Sequence, residues 1–211
     1  MGAKFMKAVY VLLFTGGLLF NTARAEAIHF DDVKPGALPP GWLEGVTGGG
    51  NPKWEVMREL SAPSPPNVLE QSGEGKFPWC VKTNVSLLDG HMEVKFKPIS
   101  GKEDESGGLI WRWQDGDNYY VARANALEDN VTIYFTTNGE RHERGRALMK
   151  VTANEWHTLA VDFHGTHFTV FMDRKKCLEW EDDTIKKPGA VGLWTKADSV
   201  TMFDDFSFEG K

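Results

Sequence analysis

The sequence predicts an all-β protein, folded as one sandwich of two antiparallel sheets. Three observations carry this reading. Of 211 residues, 22 are Gly and 10 are Pro, and Phe, Trp and Tyr make up 12%, a mixture that suits many chain reversals between strands of large side chains. From residue 77 onward, short runs alternating apolar and polar residues recur between turn dipeptides, the period of half-buried strands. No apolar stripe at helical spacing runs uninterrupted for a useful length.

The first 25 residues read as a leader. Lys4 and Lys7 precede an apolar run of 13 residues, Ala8 to Phe20, and Ala23-Arg24-Ala25 is an A-x-A cleavage site. These are the parts of a cleavable signal peptide, and the apolar run is too short to span a bilayer. The expectation is therefore an exported protein, periplasmic or secreted, with residues 26–211 as a single domain and no membrane span after cleavage. Removal leaves 186 residues (211 less 25), and the formal charge of −6 becomes −9 because Lys4, Lys7 and Arg24 leave with no acid. An acidic chain of this kind argues against nucleic acid as a partner.

Residues 26–70 are punctuated by Pro35-Gly36, Pro39-Pro40-Gly41, Gly48-Gly49-Gly50-Asn51-Pro52 and Pro63 to Pro66. Short strands are expected at Ile28–Phe30, Lys53–Met57 and Asn67–Glu70, with Trp42 and Trp54 anchoring this irregular stretch to the core. The regular strands follow at Trp79–Val85, Gly90–Lys97, Gly108–Gln114, Tyr119–Asn125, Val131–Thr137, Trp156–Phe163, His167–Asp173, Lys176–Trp180, Ala190–Thr195 and Ser199–Phe208. Asp89-Gly90, Asp115-Gly116, Asn138-Gly139, His164-Gly165 and Pro188-Gly189 mark the turns. Glu140–Lys150 is the best helical stretch, but Gly145 interrupts it, and it reads as a charged loop or short turn.

Alternation assigns faces. In Gly108–Gln114, Leu109, Trp111 and Trp113 share one face and Ile110, Arg112 and Gln114 the other. If a hairpin joins this strand to the next, Arg112, Tyr119, Arg123 and Asn125 lie on one surface. Forked guanidiniums, an amide and an aromatic plane suit sugar hydroxyls or carboxylates. The plainer alternative is a solvated face with ion pairs to Glu128 or Asp129. The acidic run Glu103-Asp104-Glu105 sits between glycines and reads as a solvated loop.

Asp31 and Asp32 lie near the first strand and Asp204 and Asp205 in the last. If those strands are neighbours, the four carboxylates converge on a structural Ca²⁺, with capping and edge-strand charge as the alternative. Cys80 and Cys177 either pair, as an oxidising compartment permits, or remain two small buried hydrophobes. No zinc spacing, G-x-S-x-G elbow, Walker loop or H-E-x-x-H occurs, and no cofactor is required.

Asn118–Asn130 (NYYVARANALEDN), Gly192–Val200 (GLWTKADSV), Phe203–Phe206 (FDDF), residues 35–42 (PGALPPGW), 97–104 (KPISGKED) and 107–115 (GGLIWRWQD), with the Trp156 hairpin, together resemble exported bacterial proteins of the concanavalin A-like lectin/glucanase superfamily. The similarity runs close to the 3-keto-disaccharide hydrolase-like domains and to laminin G-like modules, and covers essentially all of residues 26–211. It implies a jelly roll of two curved antiparallel sheets, a glycan site on the concave face, and Ca²⁺ near the chain ends. The matching polar positions are Arg112, Tyr119, Arg123, Asn125, Trp194, Lys196 and Asp198, with Trp194 and Tyr119 stacking on sugar faces. The E-x-D-x-x-E or E-x-D-x-E pattern of family 16 glycoside hydrolases is absent. The expectation is a carbohydrate-binding protein. The alternatives are a glycoside hydrolase using Glu128, Asp129 or Asp198, and a structural or adhesion module.

Overall fold

The computed structural model describes residues 27–210. The leader assignment, residues 1–25, lies outside them. Fourteen strands follow in order: β1 (Trp42–Asn51), β2 (Trp54–Arg58), β3 (Asn67–Gln71), β4 (Glu74–Leu87), β5 (Gly90–Ser100), β6 (Ser106–Asp115), β7 (Asn118–Asn125), β8 (Asn130–Thr137), β9 (Glu140–Leu148), β10 (His157–His164), β11 (His167–Met172), β12 (Lys175–Glu181), β13 (Gly189–Trp194) and β14 (Val200–Gly210). No described residue is helical, and so no helix is long and apolar enough to cross a membrane.

The strands form two antiparallel sheets of seven, in the orders β1-β4-β13-β6-β7-β8-β9 and β12-β11-β10-β5-β14-β3-β2. This is a jelly-roll β-sandwich, as the alternating runs predict. The expected hairpin closes with Phe163 opposite Phe168 and His164 opposite His167, and β6 pairs with β7 as anticipated. Ile28 bridges to Phe206, so the beginning and end of the described chain are neighbours. Trp42 and Trp54 are buried in the core.

The main core lies between the sheets. Trp111 is at its centre, stacked on Tyr120 at 5.5 Å and edge-on to Phe168 at 5.5 Å. The Tyr120 hydroxyl donates to Asp182 (2.5 Å) and accepts from the Ile185 backbone N–H (2.8 Å), so its polar tip is satisfied while its ring is buried.

Two local readings differ from the structure. Glu140–Leu148 is the edge strand β9, not a loop. Asn138-Gly139, both at positive φ, makes the two-residue turn that folds it onto β8. Gly145 sits where the register slips by one residue between Ile133 and Tyr134; a glycine inside a strand marks such a bulge. Gly48 to Asn51, read as a loop, is the end of β1.

Cys80 and Cys177 do not pair. Cys80 lies on β4, next to the β1 edge of the first sheet, whereas β12 packs over β8 and β9 at the opposite end. Burial pushes the Cys80 thiol well above its ordinary range and the Cys177 thiol up to about 11, which starves both of thiolate. We expect a thiol-reactive dye to label the native protein slowly and to find two thiols after denaturation. A melting temperature that drops on adding reductant would contradict this assignment.

Candidate functional site

The central strands of the first sheet are buried on both faces. Its inner face meets the second sheet. Its outer face carries a second cluster: Phe77, Trp79 and Val81 from β4, Trp194 from β13, Ile110 from β6, Tyr119 and Val121 from β7, and Tyr134 from β8. These side chains pack on one another: Trp79 lies 5.2 Å from Trp113, and Phe77 stacks on Trp194 at 5.7 Å. The strand β1 flanks them, and a Cβ on its Gly45 would stand 2.4 Å from the Trp79 ring, so only glycine lets the indole lie across it.

Beyond the aromatics, the same face becomes polar. Arg123 of β7 is almost fully buried. Its Nη1 donates to Asp104 at 2.9 Å, and its Nη2 donates to Glu128 at 2.7 Å and to Asn130 at 3.2 Å. Lys196 donates to the same Asp104 oxygen at 2.8 Å. Asp104 is therefore buried between two cations, and the run Glu103-Asp104-Glu105 is not the solvated loop expected from sequence. Asp198 accepts the backbone N–H groups of Lys102, Glu103 and Asp104. Burial opposes its ionisation, but those three donors outweigh it and hold the carboxyl below its ordinary value.

At one end of this face opens a cavity of about 680 Å³. One wall is Gly50, Asn51 and Glu74 to Phe77. The opposite wall is Lys196, Ala197 and Asp198, with Glu103 and Arg141 completing the lining. The walls are joined through main chain: Gly75 N–H donates to Ala197 C=O at 3.1 Å and Thr195 N–H to Pro78 C=O at 3.0 Å. Arg141 of β9 lies over three rings, 4.2 Å from the Tyr134 centroid, 4.5 Å from Phe77 and 5.8 Å from Trp194. Its Nη1 is buried with no hydrogen-bond partner.

The residues expected from sequence divide. Lys196 and Asp198 line the cavity. Tyr119, Arg123, Asn125 and Trp194 belong to the same sheet but are buried. Tyr119 and Trp194 are fully covered, so neither ring is open to stack on a sugar; the Tyr119 hydroxyl shares a hydrogen bond with Thr47 at 2.8 Å. The Asn125 side-chain oxygen accepts the Leu127 and Glu128 N–H groups and shapes the β7–β8 turn.

Arg112 is not on this surface at all. A bulge between Trp111 and Asp115, with Arg112 at φ 47°, breaks the alternation. Trp113 thereby moves to the outer cluster. Arg112 instead donates to the carbonyls of Leu88, Ile185 and Gly165, at 2.8, 2.9 and 2.6 Å. The sequence reading missed Phe77 and Arg141. Arg141 was hidden by the loop assignment of β9; read as a strand paired through Asn138-Gly139, it falls on the face of Tyr134 and Thr136.

The carboxylates expected to share a metal are also rearranged. Asp204, Asp205 and His29 each offer an atom within 4.8 Å of the others. Asp31 instead accepts the Asn67 backbone N–H at 3.0 Å, and Asp32 is outside the group. Asp204 already accepts from Ser64 and Asp205 N–H, and Asp205 from His29 at 2.7 Å. Two committed carboxylates and an imidazole do not match the six to eight oxygens that Ca²⁺ takes, so the residues do not fit that ion as arranged.

No family model matches this chain, and no curated protein matches it. Solved structures do. The carbohydrate-binding module CBM66 from Bacillus subtilis superposes with a TM-score of 0.67 at 19% identity, over 81% of this chain and 96% of that one. The carbohydrate recognition domain of Emp47p gives 0.61 at 12% identity, over 90% and 99%. A beta-glucanase from Bacillus licheniformis gives 0.54 at 16% identity, again over 90% and 99%. This chain therefore has the concanavalin A-like lectin/glucanase fold.

Two predictions follow from these contacts. Replacing Arg123 with alanine leaves Asp104 buried with Lys196 as its remaining cation, and loss of one partner of a buried pair costs about 3–5 kcal/mol. Urea unfolding should show a loss of that order; a midpoint equal to wild type would refute the role given to Arg123. Separately, burial raises the Asp204 carboxyl from 3.8 to about 6. The folded state then binds its proton more tightly than the unfolded chain, so this group's contribution to stability falls as pH climbs from about 4 through 6. The stability difference between wild type and Asp204→Asn should decline across that window, and a flat difference would show that Asp204 does not titrate there.

Proposed function

We propose that this chain is an exported carbohydrate-binding protein, and that it holds its glycan in the cavity formed by the ends of β1, β4 and β9 and the Lys196–Asp198 loop. The observation that carries the reading is the pairing of Arg141, stacked on rings and donating to no protein group, with Lys196 across the same opening. Convergent cationic and polar side chains at the mouth of a cavity can donate to the hydroxyls and ring oxygens of a sugar. The concanavalin A-like fold shared with a carbohydrate-binding module and a carbohydrate recognition domain supports it by analogy.

Hydrolysis is less well supported. A glycosidase needs one carboxyl that holds a proton beside a second carboxylate. Asp198 is held ionised by three N–H donors. Glu128 is tied to Arg123 and Arg146, and Asp129 accepts from Lys150 and the Val151 N–H; neither lines the cavity.

A glycan array followed by calorimetry tests the proposal. Binding of at least one oligosaccharide is expected, weakened about tenfold, or ~1.4 kcal/mol, by Lys196→Ala, which leaves Asp104 paired to Arg123. Folded protein that binds no oligosaccharide would sink the reading, and binding indifferent to Lys196→Ala would move the site elsewhere.

A further inference from the structure

We infer that the ligand of this cavity is an acidic sugar, a glycan bearing a uronate carboxylate, and that the Arg141 guanidinium receives that carboxylate. The inference rests on the carbohydrate-binding reading and sharpens it to a chemical class.

Most charges of the outer face are matched. Arg123 is matched by Asp104 and Glu128, Lys196 by Asp104, and Arg146 by Glu143 and Glu128. Two cations of the cavity lining have no ion-pair partner among the described residues: Lys76, which is exposed and lies over Phe77, and Arg141. Of the two only Arg141 is partly buried; its side chain donates no hydrogen bond, and its contacts are the three rings. A partly buried cation with no ion-pair partner of its own is costly, and ring faces and the more distant Asp104 charge offset only part of that cost. Burial accordingly pulls the guanidinium below its ordinary value.

The carboxylates nearby are not free to answer it. Asp104 is engaged by Arg123 and Lys196, Asp198 by three backbone N–H groups, and Glu143 by Arg146. Glu74 and Glu103 line the cavity as exposed residues. A ligand carboxylate would supply the missing counter-charge. Its two coplanar oxygens suit a planar guanidinium fork better than a lone hydroxyl does. Tyr134, Phe77 and Trp194 hold that fork in place before the ligand arrives, which reduces the entropy lost on binding. The net charge of −6 gives the chain no general attraction to polyanions, so any preference for acidic glycans has to come from this local arrangement.

The test compares pectate, alginate, hyaluronan and a glucuronate-bearing bacterial polysaccharide with the same polymers after chemical reduction of their carboxyl groups to alcohols. A sulfated glycan and a set of neutral glycans accompany them. At least one acidic polymer is expected to bind at least tenfold more tightly than its reduced form, and Arg141→Gln is expected to abolish that ratio while Arg141→Lys retains part of it. Equal affinity for both forms, or an acidic preference that survives Arg141→Gln, overturns the assignment of an acidic ligand while leaving carbohydrate binding intact. Binding of the sulfated glycan alone overturns the choice of carboxylate. Failure of every acidic, reduced and neutral glycan defeats the underlying reading as well. If Arg141→Gln does not fold, by circular dichroism, the wild-type ratio of acidic to reduced polymer decides the matter.

Discussion

The outer face of the first sheet depends on one buried carboxylate. Asp104 enters from the loop between β5 and β6 and meets Arg123 of β7 and Lys196 of the loop after β13. Both cations depend on it, because a buried charge is tolerated only when paired. Its position is set in turn by Asp198, which accepts the backbone N–H groups of residues 102 to 104. Two aspartates thus clamp two loops together over the polar end of the sheet, and the cavity wall carrying Lys196 stands where that clamp puts it.

The second constraint is that the central strands of the first sheet are buried on both faces. An antiparallel sheet of a sandwich ordinarily keeps one face for water. Here β7, β8 and β13 are buried along nearly their whole length. Side chains that alternation assigns to the outside therefore form a second, smaller core. Its aromatic half packs on itself, and the buried charges of its polar half are paired with one another. The stacked Arg141 meets the loops at the end where the cavity opens.

This explains why the residues best suited by type to hold a sugar are not those in position to do it. Arg112 and Arg123 have the right donors but spend most of them on the protein's own carbonyls and carboxylates, and Asn125 is buried, its side-chain oxygen accepting two backbone N–H groups. Such groups hold the frame rigid. Arg141 is distinguished from them by its place on the cavity wall, with rings as its neighbours and no ion pair within the protein.

The sequence by itself determined the architecture. Period-two alternation, the Asn138-Gly139 and His164-Gly165 turns and the aromatic content were enough for an all-β sandwich, because those signals are local and each strand states its own pattern. Lys196 and Asp198, expected by resemblance, do line the cavity. Only the tertiary structure decided how the faces were used. The bulge at Arg112 moved one guanidinium off the surface and put Trp113 onto it, which no strict alternation can show. Gly145 read as a break in a helix and proved to be a bulge in the strand that carries Arg141. Cys80 and Cys177 look like a pair until the strand order separates them to opposite ends. Whether a polar side chain is spent or free depends on partners distant in sequence, and Asp104, nineteen residues from Arg123 and ninety-two from Lys196, meets both only once the sheets have formed.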